Sequence, residues 1–328
     1  VRRGRSGVVV QFVVLALAWG ASFLFIKVGL TGLSASQVVL GRLVCGAVAL
    51  IALCAVRREP LPRQAIVWSH LAVVSVLLCV VPFSLFAWAE QHVSSALASI
   101  YNATTPLMAA LAGVIALRSE PVSRTAGMGL GLGFVGVVIV MAPWRGGVDG
   151  SIPGQLACLF ATASYGVAFV YLRRFVSPRG LPAVPVATIQ VGLGAVIMLM
   201  LTPFVAADPI HPSWQAVTSV IVLGVVGTGL AYVWNTNIVS AWGATSAASV
   251  TYLTPVVGVV LGAVVLREKT GWNELFGGFV VILGLVISRR QAPRPNASIV
   301  DLDRQGSVDT SPINTAHDGD GADSRGRP

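Results

Sequence analysis

Three ionisable side chains stand inside, or at the edge of, long apolar runs: Lys27, Arg42 and Glu90. Within such runs ionisable groups are rare, and they face water or one another. Two cations and one acid leave one positive charge over. That surplus suits a vestibule for a carboxylate-bearing substrate, with Arg42 as its partner. Glu90 could instead exchange a proton with solvent and couple that movement to transport. A second signal is a pair of Thr-Pro steps, Thr105-Pro106 and Thr254-Pro255. Proline in a helix removes a donor and clashes with the carbonyl four residues back. Pro106 would free the carbonyl of Asn102 and Pro255 that of Thr251, and both prolines should mark kinks. Polar and aromatic residues at similar depth complete the expected ligand-facing set: Trp19, Arg42, Trp88, Tyr101, Asn102, Thr105, Tyr165, Trp234, Tyr252 and Thr254.

These types and spacings do not suggest catalysis. The sequence has no glycine-rich phosphate loop ending in Lys-Ser/Thr, and no recognisable Ser/His/Asp or Cys/His arrangement. The four cysteines, Cys45, Cys54, Cys79 and Cys158, form no CxxC pair, and the four histidines are scattered. Neither a metal site nor another cofactor is expected.

The elements that must position these residues are membrane helices. Of 328 residues, 55% are hydrophobic and only 11% charged, with a mean hydropathy of +0.80. A soluble domain carries about 25% charged residues. Ten apolar runs stand out, at about 8–28, 35–56, 66–88, 95–117, 125–142, 153–173, 183–204, 214–235, 244–266 and 273–289. A helix crossing ~30 Å of hydrocarbon needs about 20 such residues. The runs are too long for strands and lack strict alternation, so the expected class is an all-α integral membrane protein with ten transmembrane helices. Arg2-Arg3-Gly4-Arg5 before the first run could belong to a leader, but nine further runs favour a retained span.

The net charge of +9 does not point to nucleic acid once its distribution is considered. With the N-terminus in the cytoplasm, 17 of the 22 Lys and Arg fall on inner segments, and only Arg145, Arg267 and Lys269 fall outside. This matches the positive-inside rule with both termini cytoplasmic. The many Ala, Val, Gly and Arg with only two Lys suit a bacterial plasma membrane. Gly129-x-x-x-Gly133 and Gly258-x-x-x-Gly262 would let helices approach closely, either inside the bundle or between two copies of a homodimer.

The two halves align weakly but in order. Trp19-Gly20-Ala21-Ser22-Phe23 falls opposite Tyr165-Gly166-Val167-Ala168-Phe169, Pro106 opposite Pro255, and Gly113 opposite Gly262. Leu117-Arg118-Ser119-Glu120 echoes Leu266-Arg267-Glu268-Lys269. Five spans per copy would insert the second copy upside down, giving two inverted five-helix repeats. The expected boundaries are 1–145 and 146–290, followed by a Gly-, Ser-, Pro- and Asp-containing segment, 291–328, that reads as a disordered cytoplasmic tail.

Trp19 through Lys27, and Glu90-Gln91-His92-Val93-Ser94-Ser95-Ala96-Leu97-Ala98-Ser99-Ile100 through Thr105-Pro106-Leu107 to Glu120, resemble the drug/metabolite transporter superfamily in its ten-span EamA-type branch. Thr254-Pro255 and Leu266-Arg267-Glu268 repeat the pattern. The resemblance covers about residues 10–290. It implies two five-helix repeats, alternating access and export of small metabolites. Taken with the residues above, the expected function is secondary active export of an amino acid or related carboxylate, with protons as a candidate coupling ion. Alternatives are efflux of lipophilic cations, metabolite uptake, and, outside transport, a membrane sensor or lipid-handling protein.

Overall fold

A computed structural model describes residues 5–116, 124–142, 151–205, 209, 211–242 and 249–289. The side chains of residues 5, 6, 126 and 289 are excepted. Readings that fall on Leu117–Glu120, on residues 243–248 and on the 291–328 tail lie outside the described residues. Residues 1–290 form one compact unit, and every element described is helical.

The first half opens with α1 (Arg5–Gly29) and α2 (Ala35–Arg57). Helix α2 begins where Ser34 and Gln37 form a reciprocal capping box, which satisfies donors that a helix start leaves unpaired. Next come α3 (Ala65–Ser75), a π-helical turn at Val76–Val80 and α4 (Val81–Ala89). Pro82 has no N–H to offer the preceding turn, and a widened turn directly before it accommodates that loss. Then α5 (Ser95–Asn102) stops short of α6 (Thr105–Ala116), and α7 (Arg124–Met141) follows.

The second half runs through α8 (Ile152–Tyr171), extended by π-helical and 3₁₀ turns to Arg179, and α9 (Ala183–Val205). Helix α10 (Trp214–Gly224) passes through a π-helical turn, Val225–Leu230, into α11 (Ala231–Trp242). Helices α12 (Val250–Val265) and α13 (Trp272–Arg289) complete it.

Among the described residues, seven segments are long and apolar enough to cross a membrane: Gly7–Gly29, Ala35–Arg57, Ala65–Ala89, Ser95–Ala116, Ile152–Arg179, Ala183–Val205 and Trp214–Trp242. Three shorter apolar helices, Gly127–Met141, Val250–Val265 and Trp272–Ser288, correspond to the remaining expected runs. At 1.5 Å per residue these three reach roughly 25 Å, somewhat less than a full hydrocarbon thickness.

Packing pairs elements of opposite halves. Helix α1 lies against α10, α11 and α12, and α8 lies against α4, α5 and α6. Helix α2 meets α9 and α10, α3 meets α9, α5 meets α12, and α7 runs along α13. The α7–α13 seam depends on absent side chains: a Cβ on Gly284 would stand 2.5 Å from the Gly133 nitrogen and 2.6 Å from the Gly129 carbonyl oxygen. Backbone atoms cannot yield as side-chain ends do. Gly131, on the same helix as Gly133, has open space around it. Gly284→Ala is therefore expected to destabilise the folded protein by about 1–3 kcal/mol through overpacking. Gly131→Ala should be neutral or stabilising, by up to ~1 kcal/mol from helix propensity. Thermal unfolding of the two detergent-solubilised variants would check this.

Candidate functional site

Between the halves lies a cavity of about 520 Å³, within the usual range for small-molecule sites. Helix α1 supplies Trp19, Ser22 and Phe23 to its wall, and α4 supplies Phe83 and Phe86. The break between α5 and α6 supplies Asn102, Thr105 and Pro106. From the second half come Tyr165, Thr228, Tyr232, Asn235, Thr251 and Thr254.

Arg42 is the cation on this wall. It is only 8% exposed. Its Nε donates to the Thr228 hydroxyl at 3.0 Å, and its guanidinium carbon stands 3.6 Å from the centre of the Phe83 ring. The local chain builds this placement. Thr228 belongs to the π-helical turn Val225–Leu230, and α2 can lie close to α10 because Gly224 has no side chain. A Cβ there would come within 2.7 Å of the Arg42 carbonyl oxygen. Arg42 forms no ion pair with a carboxylate among the described residues. A buried guanidinium with a neutral acceptor and an aromatic face is left as a receptor for an anion.

Polar groups also hold the helix break. The Thr104 hydroxyl donates to the Tyr101 carbonyl at 2.7 Å, and its oxygen lies 3.1 Å from that of Thr162, which joins the break to α8. Thr105 lines the cavity with its hydroxyl buried and without a hydrogen-bond partner. Thr254 donates to the Val250 carbonyl at 3.3 Å. Pro106 stands at the second position of α6, immediately after the break. Pro255, by contrast, lies within the continuous α12, off the cavity wall.

Of the expected ligand-facing residues, Trp19, Arg42, Asn102, Thr105, Tyr165 and Thr254 share the cavity wall. Four lie elsewhere. Trp88 is 40% exposed and packs on His92 one turn away, on the outer face of its helix. Tyr101 is fully buried and donates to Gln155 Oε1 at 2.6 Å. Trp234 packs on the cluster around Leu15 and Ile238, and Tyr252 on the cluster around Leu97 and Val281.

The three charges of the expected vestibule form no ion pair with one another, and of the three only Arg42 lines the cavity. Lys27 donates to the backbone carbonyls of Glu90 and Val93, the latter at 2.9 Å, and so serves the C-terminal end of α4. A cation is favourable at that end of a helix. Glu90 is fully buried rather than a solvated helix end, and neither of its carboxyl oxygens has a hydrogen-bond partner. Sequence reasoning passed over Phe83, Phe86, Thr228 and Asn235. For Asn235 the signal was an amide in an apolar run, shared with Asn237 two residues on; for the others there was none, because phenylalanine and threonine are common throughout such helices.

Glu268 stands in the charged turn after α12, between the two cations expected on the outer side, Arg267 and Lys269. Its Oε1 accepts from the Ser95 amide at 2.9 Å, and its Oε2 accepts from the Ser95 hydroxyl at 2.9 Å and the Ala96 amide at 3.1 Å. Arg267, held at φ 55°, turns the chain toward α5. The carboxylate thus caps the first turn of α5, where unpaired N–H groups and the helix dipole favour negative charge. Glu268→Ala should cost about 1–3 kcal/mol by leaving those donors unsatisfied. Lys269→Ala, at the exposed neighbouring position, should change stability by no more than about 0.5 kcal/mol. Thermal unfolding of the two variants side by side separates the outcomes.

Comparison with known proteins agrees with this architecture. The profile of the EamA-like transporter family matches residues 7–142 and 152–290. The chain is 24% identical over 278 residues to the uncharacterized transporter YdfC of Bacillus subtilis, covering 85% of this chain and 89% of that one. It is 25% identical over 283 residues to the uncharacterized inner membrane transporter YedA of Escherichia coli K12, covering 83% and 87%. It is 23% identical over 286 residues to a probable amino-acid metabolite efflux pump of Salmonella typhimurium, covering 84% and 92%. One solved crystal structure shares the fold with a TM-score of 0.58 at 18% identity, over 87% of this chain and 97% of that one. With apolar helices throughout and a family match over most of its length, this multi-pass membrane protein belongs to the EamA-like transporter family.

Proposed function

We propose that this transporter exports a small carboxylate-bearing metabolite, an amino acid or related acid, across a bacterial plasma membrane by alternating access. The observation that carries the reading is Arg42, a buried cation on the cavity wall with no carboxylate partner among the described residues. The name of the Salmonella typhimurium relative, a probable amino-acid metabolite efflux pump, points the same way.

The architecture in this reading is ten spans in two inverted repeats, residues 1–145 and 146–290, with both termini and the 291–328 tail in the cytoplasm. Two observations support it. The family profile matches the chain in two segments of similar length. Exchanging the halves also maps the packing pairs onto one another: α1 with α12 becomes α8 with α5 and α6, and α2 with α10 becomes α9 with α3. The pairs α2–α9, α5–α12 and α7–α13 map onto themselves. The two halves would rock about the cavity to expose it alternately.

Protons are the coupling ion in this reading, with Glu90 as the site. A carboxylate ion buried without a donor is costly, so a carboxyl placed as Glu90 is suited to taking up and releasing a proton as its surroundings change. Substrate, proton and lipid bilayer are then the partners of the protein.

Extracellular metabolite profiles of cells expressing the chain, compared with Arg42→Gln at equal membrane abundance, test the carboxylate reading. An amino acid or related acid should accumulate outside with the unaltered chain. Arg42→Gln should lower that accumulation about tenfold or more, as expected for loss of a charge-assisted hydrogen bond. Unchanged export in the variant would sink the role of Arg42. In proteoliposomes, Glu90→Gln should abolish concentrative, pH-gradient-driven transport while leaving downhill exchange intact. If gradient-driven accumulation persists in that variant, the coupling site lies elsewhere.

A further inference from the structure

The charges around the cavity restrict its cargo further. Four carboxyl-bearing side chains occur among the described residues: Glu59, Glu90, Glu268 and Glu274. None of them lines the cavity. Glu59 pairs with Arg57 at 3.7 Å. Glu268 caps α5 through the Ser95 and Ala96 donors. Glu90 and Glu274 are buried away from the cavity wall. The direct contacts of Arg42 over the cavity are therefore neutral, the Phe83 face and the Thr228 hydroxyl, and the amides of Asn102 and Asn235 stand elsewhere on the same wall.

From this we infer that the cargo is a monocarboxylate with an apolar body and no amino group, rather than a zwitterionic amino acid. The inference rests on the carboxylate-transport reading above and sharpens its substrate class. A ligand of charge −1 neutralises Arg42 and leaves the closed site without net charge. A zwitterion brings an ammonium as well, which would be desolvated beside a buried cation with only neutral acceptors to receive it. Burying a charge in such surroundings is costly unless it is paired. Beside further hydroxyls, at Ser22, Thr251 and Thr254, the wall carries apolar side chains and several aromatic rings. Phe23 and Phe86 meet edge to face at 5.5 Å between ring centres, and Phe86 lies 6.3 Å from Tyr165. Rings in these positions offer contact area to a hydrocarbon or aryl body.

Three molecules of one skeleton separate the possibilities: 3-phenylpropanoate, phenylalanine and 2-phenylethylamine, of net charge −1, 0 and +1. Counterflow of each labelled compound would be measured with the full chain reconstituted in liposomes, beside Arg42→Gln and Arg42→Lys. The expected result is entry of 3-phenylpropanoate about tenfold or more faster than phenylalanine, with no entry of the amine. Arg42→Gln should remove the preference. Arg42→Lys, which keeps the charge, should retain most of it and guards against misfolding of the neutral variant. If phenylalanine moves as fast as the acid or faster, the inference is overturned while carboxylate transport stands. If the amine alone moves, or none of the three does, both readings fall.

Discussion

Backbone N–H and C=O groups inside a membrane have no water to turn to, and each must find a partner within the protein. The fold can be understood as the set of answers to that constraint wherever a helix is broken or ends. The break between α5 and α6 is held by Thr104, which donates to the Tyr101 carbonyl. In the widened turn before α4, the Leu77 carbonyl accepts from Ser164 of α8 at 2.7 Å. In the widened turn before α11, Thr228 serves the Leu223 carbonyl at 3.3 Å. The amides that open α5 are received by Glu268, and the carbonyls that close α4 by Lys27. Two of these partners, Ser164 and Glu268, belong to the half of the chain opposite the group they satisfy. Local irregularity and long-range packing are therefore one problem, solved together.

The cavity follows from those irregularities. A regular helix keeps its polar backbone sealed and shows a neighbour only side chains. Where α5 gives way to α6, Asn102 and Thr105 are presented to the space between the halves. Where α10 gives way to α11, Thr228 meets the Arg42 side chain of α2. Proline sets the first irregularity and glycines flank the second, at Gly227 and Gly229. The aromatic residues around them supply surface that is apolar yet can lie against a cation, and Phe83 does so for Arg42. The result is a site with one committed charge and a largely neutral wall, in which the charge of the ligand matters as much as its shape.

Much of this was legible from residue order. Apolar runs of membrane length, separated by short polar turns, determined that the chain is helical and multi-pass, because only helices or closed barrels satisfy a backbone in lipid. Arg42 stood out because a guanidinium in an apolar run is expensive and must be accommodated. The Thr-Pro step at Pro106 marked the helix break, because the proline ring excludes the carbonyl four residues back. The second Thr-Pro step reads the same way in sequence, yet α12 runs on through Pro255. A proline states which hydrogen bond is missing, while the neighbouring helices decide whether the axis breaks.

The rest required the tertiary structure. Lys27 and Glu90, like Arg42, are ionisable groups in or at the edge of apolar runs, and residue order does not say which of the three faces the cavity. Yet Lys27 is tied to backbone carbonyls across the bundle, Glu90 is sealed without a partner, and only Arg42 reaches the cavity. Trp88 and Trp19 are likewise similar in sequence context, but they face opposite environments because of how their helices are rotated. Glu268 sits in a charged turn whose role residue order leaves open, and the turn at Arg267 aims it at α5. Sequence by itself determined which groups could not be left in lipid, since transfer free energy belongs to the residue. Only the packed bundle decided where each of them goes, because that depends on the rotation of each helix and on which neighbour, from the far half of the chain, brings the complementary group.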